Sequence, residues 1–218
     1  TRVGFGLPAT IYLETEFVHH KQPIWVDRVD FTMHRAGRSR QELVSLKERL
    51  KRLSQEEILA AAERLEEETG HRLGRADRED VSAIYHPLNW EQVREMAASG
   101  LVAFGSHTHS HVLLGRASPE VVRHELLESR RIIEKESSRP CVQFCYPNGS
   151  PGDFSDTSEK ILRELGFRSS LTTVGGLNPP SCSPFLLRRL GMTNDLRKTQ
   201  FEQYLAVGNA SMRALIPA

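Results

Sequence analysis

Gly105-Ser106-His107-Thr108-His109-Ser110-His111 decides how this chain is read, because nowhere else do three histidines fall within five residues. Imidazole is the commonest neutral metal ligand near pH 7. If Ser106 or Thr108 opens a helical turn, His107 and His111 stand at i and i+4 on one face. Their Cβ atoms are then about 5–6 Å apart and both rings reach one ion. His109, two places from each, points elsewhere and reads as a residue behind the ligands or facing a substrate. Two imidazoles do not complete a catalytic zinc site, which usually takes three protein ligands and a water, so a carboxylate or another His has to come from a distant part of the chain.

Working outward, Leu101-Val102-Ala103-Phe104 is a short apolar strand that delivers Gly105 and the histidines at its C-terminal end. A helix precedes it, starting at Trp90 with Asn89 as N-cap and stopping at Gly100. Another follows it, capped at Ser118 with Pro119 in the first helical position. Val142-Gln143-Phe144-Cys145-Tyr146 is the next strand, broken by the turn signal Pro147-Asn148-Gly149-Ser150-Pro151-Gly152. A helix from about Thr157 to Leu165, a strand from Phe167 to Thr173 and a last strand at Leu186–Leu190 complete this half. The alternation of strand and helix argues for a parallel α/β sheet or barrel.

Toward the N-terminus, Gly4 to Val18 reads as a turn followed by a buried parallel strand, Ala9-Thr10-Ile11-Tyr12-Leu13, with Glu14-Thr15-Glu16 as a loop at its C-terminal end. From Trp25 to roughly Leu73 the apolar residues recur at three and four, which predicts two helices joined near Ser54. Ser54-Gln55-Glu56-Glu57 is a capping-box pattern and Gly70 a stop. This stretch carries no catalytic constellation and reads as an insertion that shapes or covers a site.

The 218 residues suit a single domain, 1–218, with the insertion at about 25–73. The balance of 29 basic and 28 acidic residues gives no footprint for a nucleic-acid partner. No apolar run reaches the roughly 18–20 residues of a membrane span, and Thr1-Arg2-Val3-Gly4 is not a signal peptide; neither a cytoplasmic nor an exported location follows. Cys141, Cys145 and Cys182 form no even disulfide framework and read as buried thiols.

With these residues in hand, the chain resembles the polysaccharide deacetylases with a NodB-type homology domain, carbohydrate esterase family 4. Gly6-Leu7-Pro8-Ala9-Thr10-Ile11-Tyr12-Leu13 is similar to that family's second strand. Trp90 to His111 resembles its helix, strand and H-[ST]-x-x-H metal motif, with His107 and His111 in the ligand positions. Phe144-Cys145-Tyr146-Pro147-Asn148-Gly149 resembles the F-A-Y-P-x-G form of the third motif. Thr172-Thr173 and Leu187-Arg188-Arg189-Leu190 resemble the closing strands of the branch that lacks a late tryptophan motif.

The resemblance implies a deformed (β/α) barrel and a divalent ion, usually Zn2+, bound by one Asp and two His. It implies an N-acetylated polysaccharide or oligosaccharide as substrate and hydrolysis of its acetamide. The residue after Pro147, Asn148, would supply the oxyanion N–H, with Tyr146 and Gly149 shaping the pocket. The family's T-F-D-D-G loop, source of the metal-binding Asp and the general base, has no counterpart here, since the first Asp is Asp27. The fold expected is therefore such a barrel lacking its first strand and first motif in this chain, with catalytic residues not identifiable within it. Two other readings remain: a catalytically inactive carbohydrate-binding barrel, and an assembly partner in exopolysaccharide biosynthesis that docks through the insertion. The late His used by some members as general acid is also missing; Arg189 stands in its neighbourhood and is given no role.

Overall fold

Helix starts in this protein follow side chains that can cap them. In the computed structural model, which describes residues 6–74 and 85–192 with Arg197, Thr199 and Glu202 beyond, Ser39, Ser54, Asn89, Ser118 and Ser155 each accept a backbone N–H three residues on. They open α3 (Arg40–Leu50), α4 (Gln55–Thr69), α5 (Trp90–Ala98), α6 (Pro119–Ser137) and α7 (Asp156–Glu164). The expected capping box at Ser54 and Glu57 is complete, and Gly70 ends α4 in the left-handed conformation with φ 67°. Pro119 occupies the start of α6, where its missing N–H costs nothing.

Two helices depart from the sequence reading. Glu14-Thr15-Glu16, expected as a loop, runs into α1 (Thr15–His20), a helix too short to show a periodic apolar stripe, with the Glu14 carboxylate accepting the Phe17 N–H. The insertion holds three helices rather than two. The additional one, α2 (Trp25–Arg35), has no side-chain cap at Ile24 and is separated from α3 by Gly37 at φ 68°.

The strands β1 (Ala9–Leu13), β2 (Val102–Ser106), β3 (Gln143–Cys145), β4 (Ser169–Gly175) and β5 (Leu187–Arg189) form one sheet in the order β1-β2-β3-β4-β5, each neighbouring pair parallel. Sequential parallel order is that of a singly wound arc, the arrangement from which (β/α) barrels are built. Among the described residues β1 and β5 are its edges, so β1, expected as a buried strand, is exposed at Ala9 and Thr10. The turn expected to begin at Gly4 starts outside the described residues.

Two apolar clusters hold the elements. The larger packs β-strand residues such as Phe104 and Phe144 against Val122, Leu126 and Ile133 of α6 and Ile161 and Leu162 of α7. The smaller lies within the insertion, joining Trp25, Val29 and Met33 of α2 to Leu50 of α3 and Ile58 and Ala62 of α4. Arg28 and Glu66 link α2 to α4 through two hydrogen bonds of 2.8 Å. The chain leaving the histidine loop runs between the clusters: Val112 and Leu114 enter the larger, Leu113 the smaller. Fully burying one such leucine contributes about 1.5–3 kcal/mol. Cys141 and Cys145 are buried and Cys182 half-buried, all three as free thiols.

Candidate metal centre

Parallel register brings the C-terminal ends of β1, β2 and β3 side by side. Leu13 pairs with Ser106, and Ser106 with Phe144. His107 therefore leaves the sheet between Leu13 and Cys145. Its backbone N–H donates to Leu13 O at 2.9 Å, and its ring Nδ1 lies 2.6 Å from Cys145 O. A ring nitrogen beside a carbonyl must be the protonated one, which leaves Nε2 with a free lone pair.

The loop from His107 to His111 is not helical. Thr108 and His111 take left-handed backbone at φ 69° and φ 60°. Such conformations cost about 1–3 kcal/mol each in a non-glycine residue, although His tolerates them better than most. The expected i, i+4 helical pair is thus corrected in its mechanism: a looped backbone, rather than a helical turn, places the two rings with centroids 5.1 Å apart. His111 is 5 % exposed and its Nδ1 is buried with no hydrogen-bond partner. Burial lowers its pKa to about 3, with the His107 ring acting in the same direction. His107 is also lowered, first by burial; the Cys145 carbonyl opposes that shift and the Arg189 charge adds to it. Two neutral imidazoles, one oriented by a carbonyl and the other with an unpaired buried nitrogen, fit a divalent ion as ligands. Among the described residues no third His, Cys, Asp or Glu joins them in a metal-holding group.

His109 points away from the pair. Its Nδ1 lies 2.8 Å from Thr15 Oγ1 and its ring faces His124 with centroids 6.3 Å apart. Sequence reasoning missed two supports of this loop. The Glu125 carboxylate, on α6, accepts the N–H groups of His109 and Ser110. Trp25, from the insertion, sets its ring 6.5 Å from that of His111 at 62°. Arg189, on β5, acts electrostatically on His107, Cys145 and Tyr12. Only Glu125 had a local signal, its place on the inward face of a helix that follows the loop, and a charged residue there reads as a surface residue from sequence alone.

The second loop, after β3, turns sharply. Asn148 and Gly149 are both left-handed, at φ 57° and φ 70°, and Gly149 N–H donates to Pro147 O at 2.7 Å. A Cβ on Gly149 would lie 2.9 Å from Thr173 N and 3.2 Å from Tyr146 O, so a side chain there has no room. The Asn148 Nδ2 is buried without a partner. Tyr146, expected to shape a pocket, has its ring fully buried in the larger cluster, against Phe144 and Phe154 at 5.1 Å and 4.8 Å. Its contribution to the loop is packing from behind. Pro147 is buried as well. Asp153 closes the turn, its Oδ2 accepting Ser150 N–H at 2.9 Å.

Glu14, at the end of β1, is 8 % exposed. Burial raises its pKa to about 9; the Phe17 N–H opposes this, and Glu16 and Glu125 add to it. The folded chain therefore keeps a proton that the unfolded chain releases from about pH 4.3 upward, so this group destabilises the fold progressively as pH climbs toward 9. Glu14→Gln retains an acceptor for Phe17 N–H and removes the acid. It is expected to stabilise the protein by on the order of 2 kcal/mol at pH 8 and to change nothing at pH 4. Thermal unfolding at the two pH values checks this, and an equal effect at both contradicts it.

An α/β protein whose chemistry-bearing loops sit at the C-terminal ends of a parallel sheet is the class that fold and site define. The chain matches the family Polysaccharide deacetylase over residues 6–170, and it belongs to that family. It is 23 % identical over 120 residues to YxkH of Bacillus subtilis (strain 168), named as a polysaccharide deacetylase, a match covering 55 % of this chain and 42 % of that protein. Its fold is similar to that of the Streptococcus pyogenes deacetylase PplD in complex with acetate, with a TM-score of 0.50 and 24 % identity over 54 % of this chain and 50 % of that one. IcaB from Ammonifex degensii aligns with a TM-score of 0.45 and 27 % identity over 50 % of each chain. The chain spans less than half the length of YxkH and half that of PplD.

Proposed function

We propose that this chain carries the metal-binding and substrate-side loops of a hydrolase that removes N-acetyl groups from an N-acetylated polysaccharide or oligosaccharide. Residues 1–218 then belong to one catalytic domain with an insertion at about 25–73. His107 and His111 hold Zn2+ or another divalent ion, and the third protein ligand and the general base come from outside the described residues. The observation that carries this reading is the pair of neutral rings 5.1 Å apart, one anchored on Cys145 O, in a chain of a deacetylase family. The metal dependence general in that family supports it.

When bound, a divalent ion polarises the acetamide carbonyl and acidifies a water. The described residues orient the ligand and meet the developing charge. The Cys145 carbonyl keeps His107 in the tautomer that presents Nε2. The main-chain N–H of Asn148 donates to the oxygen that gains charge as water adds to the acetamide carbon. The C–N bond then breaks, the nitrogen leaves as a protonated amine, and acetate is released. Pro147 and Gly149 fix the turn that presents Asn148.

Acetate release from N-acetylglucosamine polymers by the full-length protein, assayed with Zn2+ or Co2+, tests the reading. Retention of glycan with no acetate released would identify a carbohydrate-binding barrel that has lost its chemistry. Neither retention nor release would refute both.

A further inference from the structure

Glu125 is a buried carboxylate, 5 % exposed, on the face of α6 that looks toward the histidine loop. Its Oε2 accepts the main-chain N–H of His109 and that of Ser110, each at 2.8 Å, and its Oε1 accepts the Ser110 hydroxyl at 2.7 Å. One turn further along the helix, Ser129 Oγ lies 2.6 Å from Ser106 Oγ. Positions 125 and 129 share a helix face, so α6 grips the loop on both sides of His107 and Thr108. The two amides held by Glu125 lie between the two left-handed residues, Thr108 and His111. Strained backbone persists only where its surroundings over-determine it. Three hydrogen bonds that one carboxylate accepts from two consecutive residues do so here, because bonds to a carboxylate are about twice as strong as neutral ones.

We propose that Glu125 is a positioning residue for His111: by fixing the amides of residues 109 and 110 it holds the backbone that turns the His111 ring toward His107, and so sets metal affinity without touching the metal. This rests on His107 and His111 being the ligands. The test measures the Zn2+ dissociation constant of the full-length protein by competition with a chromophoric chelator, together with Tm and with amide hydrogen exchange at residues 109 and 110. Glu125→Gln leaves the two N–H groups one neutral carbonyl oxygen in place of a charged one and turns its NH2 to the Ser110 hydroxyl, so bonds that are about twice as strong to a carboxylate are weakened. Zn2+ binding is expected to weaken by about 10–100-fold, with faster exchange at His109 and Ser110. Ser110→Ala removes one donor and leaves the carboxylate in place; a loss of about two- to fivefold is expected, and it reads the same coupling if Glu125→Gln folds poorly. A folded Glu125→Gln or Ser110→Ala that binds Zn2+ as the parent does, even with a lower Tm, overturns the proposal. If His111→Asn also leaves Zn2+ binding unchanged, the ligand assignment has failed, and the proposal falls with it.

Discussion

His111→Asn is expected to eliminate Zn2+ binding by the full-length protein and to lower its acetate release by more than about a hundredfold. Changes to residues that merely orient a metal ligand typically cost about 10–100-fold, and loss of the ligand itself exceeds that. Asn is the informative replacement because it shares with His a tolerance for left-handed backbone, and residue 111 sits at φ 60°. An Ala there would add backbone strain to the loss of the ring and confound the two. Asn also removes the ring that packs against Trp25, so a modest fall in Tm accompanies the loss. Chelator competition and an acetate assay on the same preparation check the result. Zn2+ affinity within about threefold of the parent would show that the His111 ring is no ligand.

Gly115→Ala is expected to destabilise the protein by about 3 kcal/mol or more. A Cβ at residue 115 would lie 2.2 Å from Gly152 O and 2.9 Å from both Asp153 C and Phe154 N. Overpacking against side chains costs about 1–3 kcal/mol because rotamers adjust. Every obstacle here is main chain, and it is already fixed by the hydrogen bond from Gly115 N–H to Asp153 O at 2.9 Å. In a chain of this size the expected fall in Tm is about 6–12 °C. Because residue 115 follows the histidine loop and residues 152–154 follow the Asn148 turn, the methyl also drives the two loops apart, and weaker Zn2+ binding should accompany the lower Tm. A Tm within about 2 °C of the parent would mean that the backbone yields at little cost.

What could be read in advance follows the range of the interactions involved. Caps are local, so Ser54, Asn89 and Ser118 announced α4, α5 and α6 in the chain itself. The alternation of short apolar runs with capped helices announced a parallel sheet, whose strands stand in sequential order. The motifs around His107, His111 and Tyr146-Pro147-Asn148-Gly149 announced the family. The backbone between the histidines was not legible, because the amides of His109 and Ser110, between left-handed Thr108 and His111, bond to Glu125, 16 and 15 residues away. The motif says where Tyr146 falls in the chain, while the packing of its ring against Phe144 and Phe154 is a tertiary matter that no local signal carries. α1, six residues long, gave too few positions for a period to show.

The alternation of Val112, Leu113 and Leu114 between two apolar clusters bears on how this protein could be dissected. Excising the helices from Trp25 to Leu73 would strip Leu113 of its surroundings and His111 of the indole beside it, two and zero residues from a proposed ligand. The truncated molecule would lose the support of the histidine loop while its sheet still stood. Those helices are rooted in the centre they overhang, and a loss of partner binding on their removal would be indistinguishable from collapse of the loop beneath. A point change on an outer face, at Val44, leaves those roots in place.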